Sequence, residues 1–234
     1  MESCSAQRYI HFLFYLPSVS TMKVAVLFSG GKDSVFAAFA CEQQGWDVSL
    51  LTIKPAEYST MFHHPNIQWC SAQARAMGMP FKMVGADGER EEDEISAIKE
   101  ALREMRVDGV ATGAIESEYQ KQRIDKIAHE LGIRSFSPIW RTGISLLSEQ
   151  CIYLDTYVVA VSADGLGKND LGARFDSKFV EHIKRMKVAI SPHLEGGEGE
   201  TFVSNAPFFA KALKIKEMEK EWDGARGVAK ITML

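Results

Sequence analysis

The chain has four cysteines, Cys4, Cys41, Cys70 and Cys151, and no Cys-x-x-Cys pair among them. Disulfide frameworks and zinc knuckles need paired spacing, so neither is expected, and a reducing cytoplasmic compartment is the simplest home. No apolar run reaches the length that spans a bilayer, which excludes a membrane helix. Ile10 to Leu16 is apolar but short, and Pro17 follows it. A secretory signal wants a basic start and a small-residue cleavage site, which Arg8 and Ser18-Val19-Ser20 imitate poorly. Positive charge is not in excess either: 27 Lys and Arg stand against 31 Asp and Glu, a net charge of −4. A protein that grips a long nucleic acid usually carries a basic face, so extended nucleic-acid binding is not expected. Internal repeats and low-complexity linkers are absent from the sequence.

What is present is ordinary for a globular protein: 234 residues, 46% hydrophobic and 25% charged. That length allows one large domain or two small ones. Met22 stands directly before the first strand-like run, so residues 1–21 read as an extension outside the fold, or as an arm packed on its surface. Residues 22–138 read as one domain and 139–234 as a smaller lobe of different character.

The informative segment is Val24 to Phe28 followed by Ser29-Gly30-Gly31-Lys32-Asp33-Ser34 and an apolar helix. A short continuous apolar run suits a central parallel strand. Gly30 and Gly31 permit close backbone approach. Asp33 and Ser34 suit a helix start, where free N–H groups and the helix dipole stabilise an anion. Lys32 adds a full charge. The loop is not a Walker A loop, because Val26 stands where that pattern needs its first glycine and Asp33 replaces the Ser/Thr after lysine. Its glycine spacing is not that of a dinucleotide fingerprint.

From 23 to 131 the pattern alternates. Strands are expected at 23–28, Trp46–Ile53, Phe81–Val84 and Gly109–Thr112. Helices are expected at 33–44, Asn66–Met77, Glu89–Met105 and Tyr119–Leu131. Repeated βα units imply an α/β fold with a doubly wound parallel sheet. Ligands of such sheets sit beyond the carboxyl ends of the strands, which gathers loops 29–34, 54–66 and 113–119. The acidic run from Glu89 to Glu94 reads as a solvated helix start. The second part reads as α+β: a strand over Ile152–Val161, a helix over Asp176–Met186, a strand at Thr201–Val203, and a hairpin pairing Leu213–Lys220 with Val228–Met233.

Glu195-Gly196-Gly197-Glu198-Gly199-Glu200-Thr201 alternates carboxylates with glycines. If the chain is extended, alternate carboxylates face one way. Such a group could hold Mg²⁺, an ammonium or ammonia, or be a solvated acidic loop.

Ser29 to Ser34 resembles the PP-loop of the ATP pyrophosphatase superfamily. Glu195 to Thr201 resembles the Glu-Gly-Gly-Glu-aromatic-Glu-Thr motif of the diphthine–ammonia ligase family within it, with Gly199 where that motif carries an aromatic. Gly113-Ala114-Ile115-Glu116-Ser117-Glu118-Tyr119-Gln120, then Arg123, resembles a second segment of that family. Pro138-Ile139-Trp140-Arg141 and Met61-Phe62-His63-His64-Pro65-Asn66 resemble two more. The resemblance implies an adenine nucleotide α-hydrolase-like fold. It implies ATP-dependent amidation of diphthine on elongation factor 2 with ammonia, releasing AMP and pyrophosphate.

It places ATP at Ser29, Gly30, Gly31, Lys32, Asp33, Ser34, Ile53 and Gly113, with Lys32 and Asp33 catalytic and Asp33 a partner of Mg²⁺. It places substrate at His63, Asn66, Tyr119, Arg141, Glu195, Gly196, Gly197, Glu198, Glu200 and Thr201. Elongation factor 2 and ammonia are the implied partners, no membrane is involved, and a homo-oligomer is compatible with it. Two other readings stay open: an RNA-modifying enzyme of the same superfamily, and a nucleotide sensor without turnover. The missing cysteine pairs argue against the first. An intact Lys32 and the acidic motif argue against the second.

Overall fold

A computed structural model describes residues 21–54, 66–86, 88, 90–162 and 164–234. Strands β1 (Lys23–Leu27), β2 (Asp47–Lys54), β3 (Phe81–Gly85), β4 (Gly109–Ala111) and β5 (Arg134–Phe136) form one sheet. Their order is β3-β2-β1-β4-β5, and every pair is parallel. Helices α1 (Lys32–Gln43) and α2 (Cys70–Met77) cover one face, packing Val35, Ala38 and Ala74 on Val24 and Val26. Helices α3 (Glu91–Met105) and α4 (Glu118–Leu131) cover the other, packing Ile98, Leu102, Ile124 and Ile127 on Ala25 and Leu51. Both faces are therefore buried, which is why β1 is apolar from Val24 to Leu27 rather than alternating.

The chain runs outward from β1 to β3, then crosses back to β4 on the other side of β1. The order reverses between β1 and β4, and the crevice of such a sheet opens at the carboxyl ends of that pair.

Two elements of the chain were not apparent from its pattern. The three-residue strand β5 is too short to show a period. Helix α5 (Gly143–Tyr153) reaches two residues into the stretch expected to be a strand from Ile152. Its Ile144 and Ile152 are exposed while Leu146 and Leu147 are buried, so its apolar residues form no single stripe. Strand β6 (Asp155–Val161) follows it.

With β7 (Gly199–Asn205), β8 (Ile215–Trp222) and β9 (Gly227–Met233), β6 builds a second, antiparallel sheet ordered β7-β6-β9-β8. Helix α6 (Ser177–Lys184) is capped by Asp176, whose carboxylate accepts from Lys178 N and Phe179 N. It packs Phe179, Val180 and Ile183 against Val158 and Ala229.

The two sheets share a core. Val203 of β7, with Ala206 and Phe209 just beyond that strand, joins the α1–α2 side of the first, and Phe208 stacks on Phe39 at 4.3 Å. Such a stack contributes ~1 kcal/mol beyond its burial. No helix of the described residues is long and apolar enough to cross a membrane.

Candidate active site

The amino end of α1 is organised by its own side chains. Ser34 Oγ donates to Gly31 O at 3.0 Å, accepts from Ser29 N at 3.2 Å and meets Ser29 Oγ at 3.2 Å. Gly30 has φ of +78°, the left-handed region that favours glycine. A Cβ there would fall 2.1 Å from Gln73 Oε1. Buried Gln73, on α2, donates through Nε2 to Gly30 O and to Val203 O, both at 2.8 Å.

Gly113, just after β4, lies against the same turn. A Cβ there would sit 2.8 Å from the carbonyl carbon of Asp33 and 2.9 Å from Ser34 N. The loops after β1 and β4 thus meet backbone to backbone, with no room for a side chain.

Beside them lies a cavity of about 160 Å³, lined by Phe28, Leu51, Ile53, Ile98, Thr112, Gly113, Gln120, Arg123 and Ile124 among others. At roughly 30 Å³ per water it admits a group several times the size of one water. Ile53 and Gly113 both line it, and most of its lining residues are apolar. Arg123 on its rim pairs with Glu94 at 3.3 Å. Glu94 is only 2% exposed, so this member of the acidic run is not a solvated carboxylate. It balances the buried arginine across α3 and α4.

Lys32 and Asp33 form a pair with an orientation the sequence did not suggest. The Lys32 ammonium is 1% exposed and directs its three donors inward, to Asp33 Oδ1 at 2.8 Å, Asp33 Oδ2 at 2.7 Å and His193 O at 2.7 Å. It lies 5.3 Å from the Phe175 ring centre. Gln150, buried on α5, donates to Asp33 Oδ1 at 2.8 Å. The Asp33 side chain keeps 25% exposure.

The second sheet closes on the loop. Lys32 N donates to Thr201 Oγ1 at 3.1 Å and Val203 N to Gly30 O at 3.1 Å. The acidic segment is therefore adjacent to the glycine turn through Thr201, although its carboxylates do not all face one way. Glu195 accepts from Ile115 N and Glu116 N, each at 2.5 Å. Burial, with a smaller push from Asp33, raises its carboxyl above the usual range against the pull of those amides. Glu198 accepts from Gly196 N at 2.6 Å and Ser191 N at 3.2 Å, tying its own loop. The departure at Gly199 has a steric cause: a Cβ there would lie 2.8 Å from Ala160 O.

Among the described residues three non-glycine residues have positive φ, and two of them belong to these loops, Arg141 at 54° and Leu194 at 57°. This conformation is uncommon for such residues, and at Leu194 it separates buried His193 from Glu195.

The remaining expected residues are dispersed. Arg141 donates to Glu118 at 2.7 Å, and Tyr119 to Glu91 at 2.6 Å, both on the surface. Asn66 is buried and engaged by β9, donating to Ala229 O at 2.9 Å and accepting from Ile231 N at 2.8 Å. His63, the 54–66 loop apart from its two ends, and residues 1–20 lie outside the described residues. Among the described residues no group of three His, Cys, Asp or Glu could by itself hold a metal. Burial pushes the Cys41 and Cys70 thiols up to about 12, so neither supplies a thiolate near neutral pH.

Gln150 and His193 were not anticipated, and no local motif marks them. Burial first, and the Lys32 charge second, hold the His193 imidazole below its usual value. Unfolded, it would protonate near pH 6.5. Between that pH and its lower folded value the unfolded chain binds more protons, so stability falls as pH drops through this window. His193→Asn should flatten this part of the stability–pH curve in thermal melts. An unchanged slope would assign the acid sensitivity elsewhere.

Against known proteins, the diphthamide synthase N-terminal domain matches residues 22–135 and the diphthamide synthase C-terminal domain residues 143–233. A diphthine–ammonia ligase of Danio rerio is 29% identical over 224 residues, 85% of this chain and 88% of that protein. The one from Homo sapiens is 27% identical over 242 residues, 91% and 90% of the two chains. The one from Schizosaccharomyces pombe is 28% identical over 224 residues, which is 85% of this chain and 37% of that longer protein. With both domains of the family matched in order over residues 22–135 and 143–233, the chain belongs to the diphthamide synthase family.

Proposed function

We propose that this protein amidates diphthine on elongation factor 2 with ammonia, at the cost of ATP cut to AMP and pyrophosphate. The observation that carries the reading is the junction of Thr201 and Val203 with the glycine turn. It sets the acidic segment against the loop suited to phosphate.

A carboxylate is a poor acceptor for ammonia because its oxygen leaves poorly. Transfer of AMP to that oxygen turns it into a good leaving group. The protein's part is placement and charge stabilisation. The cavity lined by Ile53 and Gly113 takes the adenine. The amides at the start of α1 take phosphate, where N–H groups lack intrahelical partners. Ser29 and Ser34 hold the turn in shape. Lys32 serves by fixing Asp33 and lending positive charge beneath the turn.

Mg²⁺ bound with phosphates needs one or two carboxylates rather than a protein cage. Asp33, partly exposed at the loop, fits that need, and the ion would neutralise phosphate charge. Glu195 holds the 115–117 turn in place, so that this turn and Tyr119, Arg141, Glu198 and Glu200 border the space for diphthine. His63 and Asn66, which follow β2 in the sequence, are assigned to the same substrate.

Incubation with ATP, Mg²⁺, ammonium and diphthine-bearing elongation factor 2 should release pyrophosphate only when the factor is present. Release that requires tRNA in its place would overturn the reading. Tight ATP binding without turnover of either would favour a sensor.

A further inference from the structure

Two buried polar atoms, on residues bonded to the Lys32–Asp33 pair, lack a hydrogen-bond partner among the described residues: Gln150 Oε1 and His193 Nδ1. Their side chains come from α5 and from the loop before β7, and each residue is tied to the same pair. Gln150 is tied through its Nε2 bond to Asp33 Oδ1 at 2.8 Å, and His193 through its carbonyl, which accepts from Lys32 Nζ at 2.7 Å. The Gln150 orientation follows from chemistry. Asp33 can only accept, so Nε2 must face it, and Oε1 is left as the unpaired atom. A buried acceptor without a donor is costly and asks for an occupant.

We propose that Gln150 Oε1 and His193 Nδ1, beside the Lys32–Asp33 pair, are the acceptors that hold the nucleophile, ammonia in its neutral form. The inference rests on the amidation reading and names the site of its second substrate. Ammonia brings three small N–H donors and one lone pair, which complements unpaired acceptors. The Lys32–Asp33 pair is neutral overall, so it adds no net charge to draw a cation, and two uncharged acceptors in a buried site favour the neutral, nucleophilic form over ammonium. Burial first, then the Lys32 charge, keeps His193 neutral, and in the tautomer protonated at Nε2 its Nδ1 carries the lone pair. Asp33 is the partly exposed member of the cluster, so it joins the buried acceptors to the phosphate loop.

In the step that follows, the ammonia lone pair forms a C–N bond to the acyl carbon of the adenylate. The C–O bond to AMP then breaks, and AMP departs with that electron pair. The nitrogen, made acidic by the new bond, gives one proton to His193 Nδ1, which returns it to solvent.

A trapped water could satisfy the same two atoms, and the test separates the two occupants. His193→Leu removes the acceptor but keeps the backbone carbonyl that Lys32 needs, whereas His193→Asn puts a carboxamide oxygen near the old Nδ1 position. AMP formation is titrated with ammonium, and separately with ATP, for the wild-type chain and both variants. His193→Leu should raise KM for ammonium at least tenfold while KM for ATP moves less than threefold, and His193→Asn should recover most of the difference. Where His193→Leu does not fold, Gln150→Met should show the same split. An unchanged KM for ammonium identifies a structural water and overturns the site. Equal rises in both KM values indicate general damage and overturn it too. Factor-dependent ATP–pyrophosphate exchange by the wild-type chain without ammonium tests the underlying reading separately. Its absence would overturn the amidation itself, whereas exchange with an unshifted ammonium KM overturns only the site.

Discussion

Asp33→Ala should abolish turnover and lower stability by about 3 kcal/mol. Removing the carboxylate leaves the Lys32 ammonium, 1% exposed, with His193 O as its single remaining acceptor. A buried charge stripped of its partner typically costs about 3–5 kcal/mol, and the partial exposure of Asp33 places this pair at the low end. A phosphate-facing lysine would give a different result, lost activity in a fold of unchanged stability. Chemical denaturation separates the two. The double variant Lys32→Met/Asp33→Ala should regain most of the lost stability, because removing both charges leaves neither unpaired. It should stay inactive. If Asp33→Ala is as stable as the wild-type chain, Lys32 has moved to another partner and the inward orientation is not what holds the turn.

Gly113→Ala should be nearly as damaging, for a steric reason. The added Cβ would meet Asp33 C at 2.8 Å and Ser34 N at 2.9 Å. Both are backbone atoms at the start of α1, so no side chain can rotate away. Overpacking of this kind costs about 1–3 kcal/mol. Here the displacement falls on the first turn of α1 and on the wall of the cavity that the proposed function assigns to adenine. ATP affinity should drop by about tenfold or more, since each 1.4 kcal/mol is a factor of about ten. Isothermal titration with a non-hydrolysable ATP analogue measures this. Gly132→Ala is the control: no atom lies within 4 Å of its Cβ, so only its left-handed conformation is strained and ATP affinity should hold. Normal affinity in Gly113→Ala would remove the loop after β4 from the nucleotide site.

The parts of this protein that were legible in its sequence are those whose cause is local. Val24 to Leu27 is apolar because β1 is central, and the helix that follows the glycine turn is set by residues within a few positions. The order of βα units and the closing β-hairpin are equally local. Helix α5 escaped because its apolar residues are shared between two clusters and solvent. The inward course of Lys32 escaped for a different reason. Its acceptor beyond Asp33 is His193 O, 161 positions further on, and Asp33 is itself held by Gln150, 117 positions beyond it; no local pattern encodes contacts of that span.

The acidic motif shows both cases. Its spacing could be read directly. That Glu195 would hold the 115–116 turn, rather than stand beside Glu198 and Glu200, required β4 and the second sheet to be assembled first.

By itself, then, the sequence determined the parallel sheet, the strand–glycine turn–helix unit and the family, because each depends on residue type at short spacing. The tertiary structure alone decided which way the charges point. The second sheet packs onto α1, buries Lys32 beneath the turn and brings Gln150 and His193 to it. Burial, which belongs to the folded assembly and not to any segment, then sets the partners those groups must find.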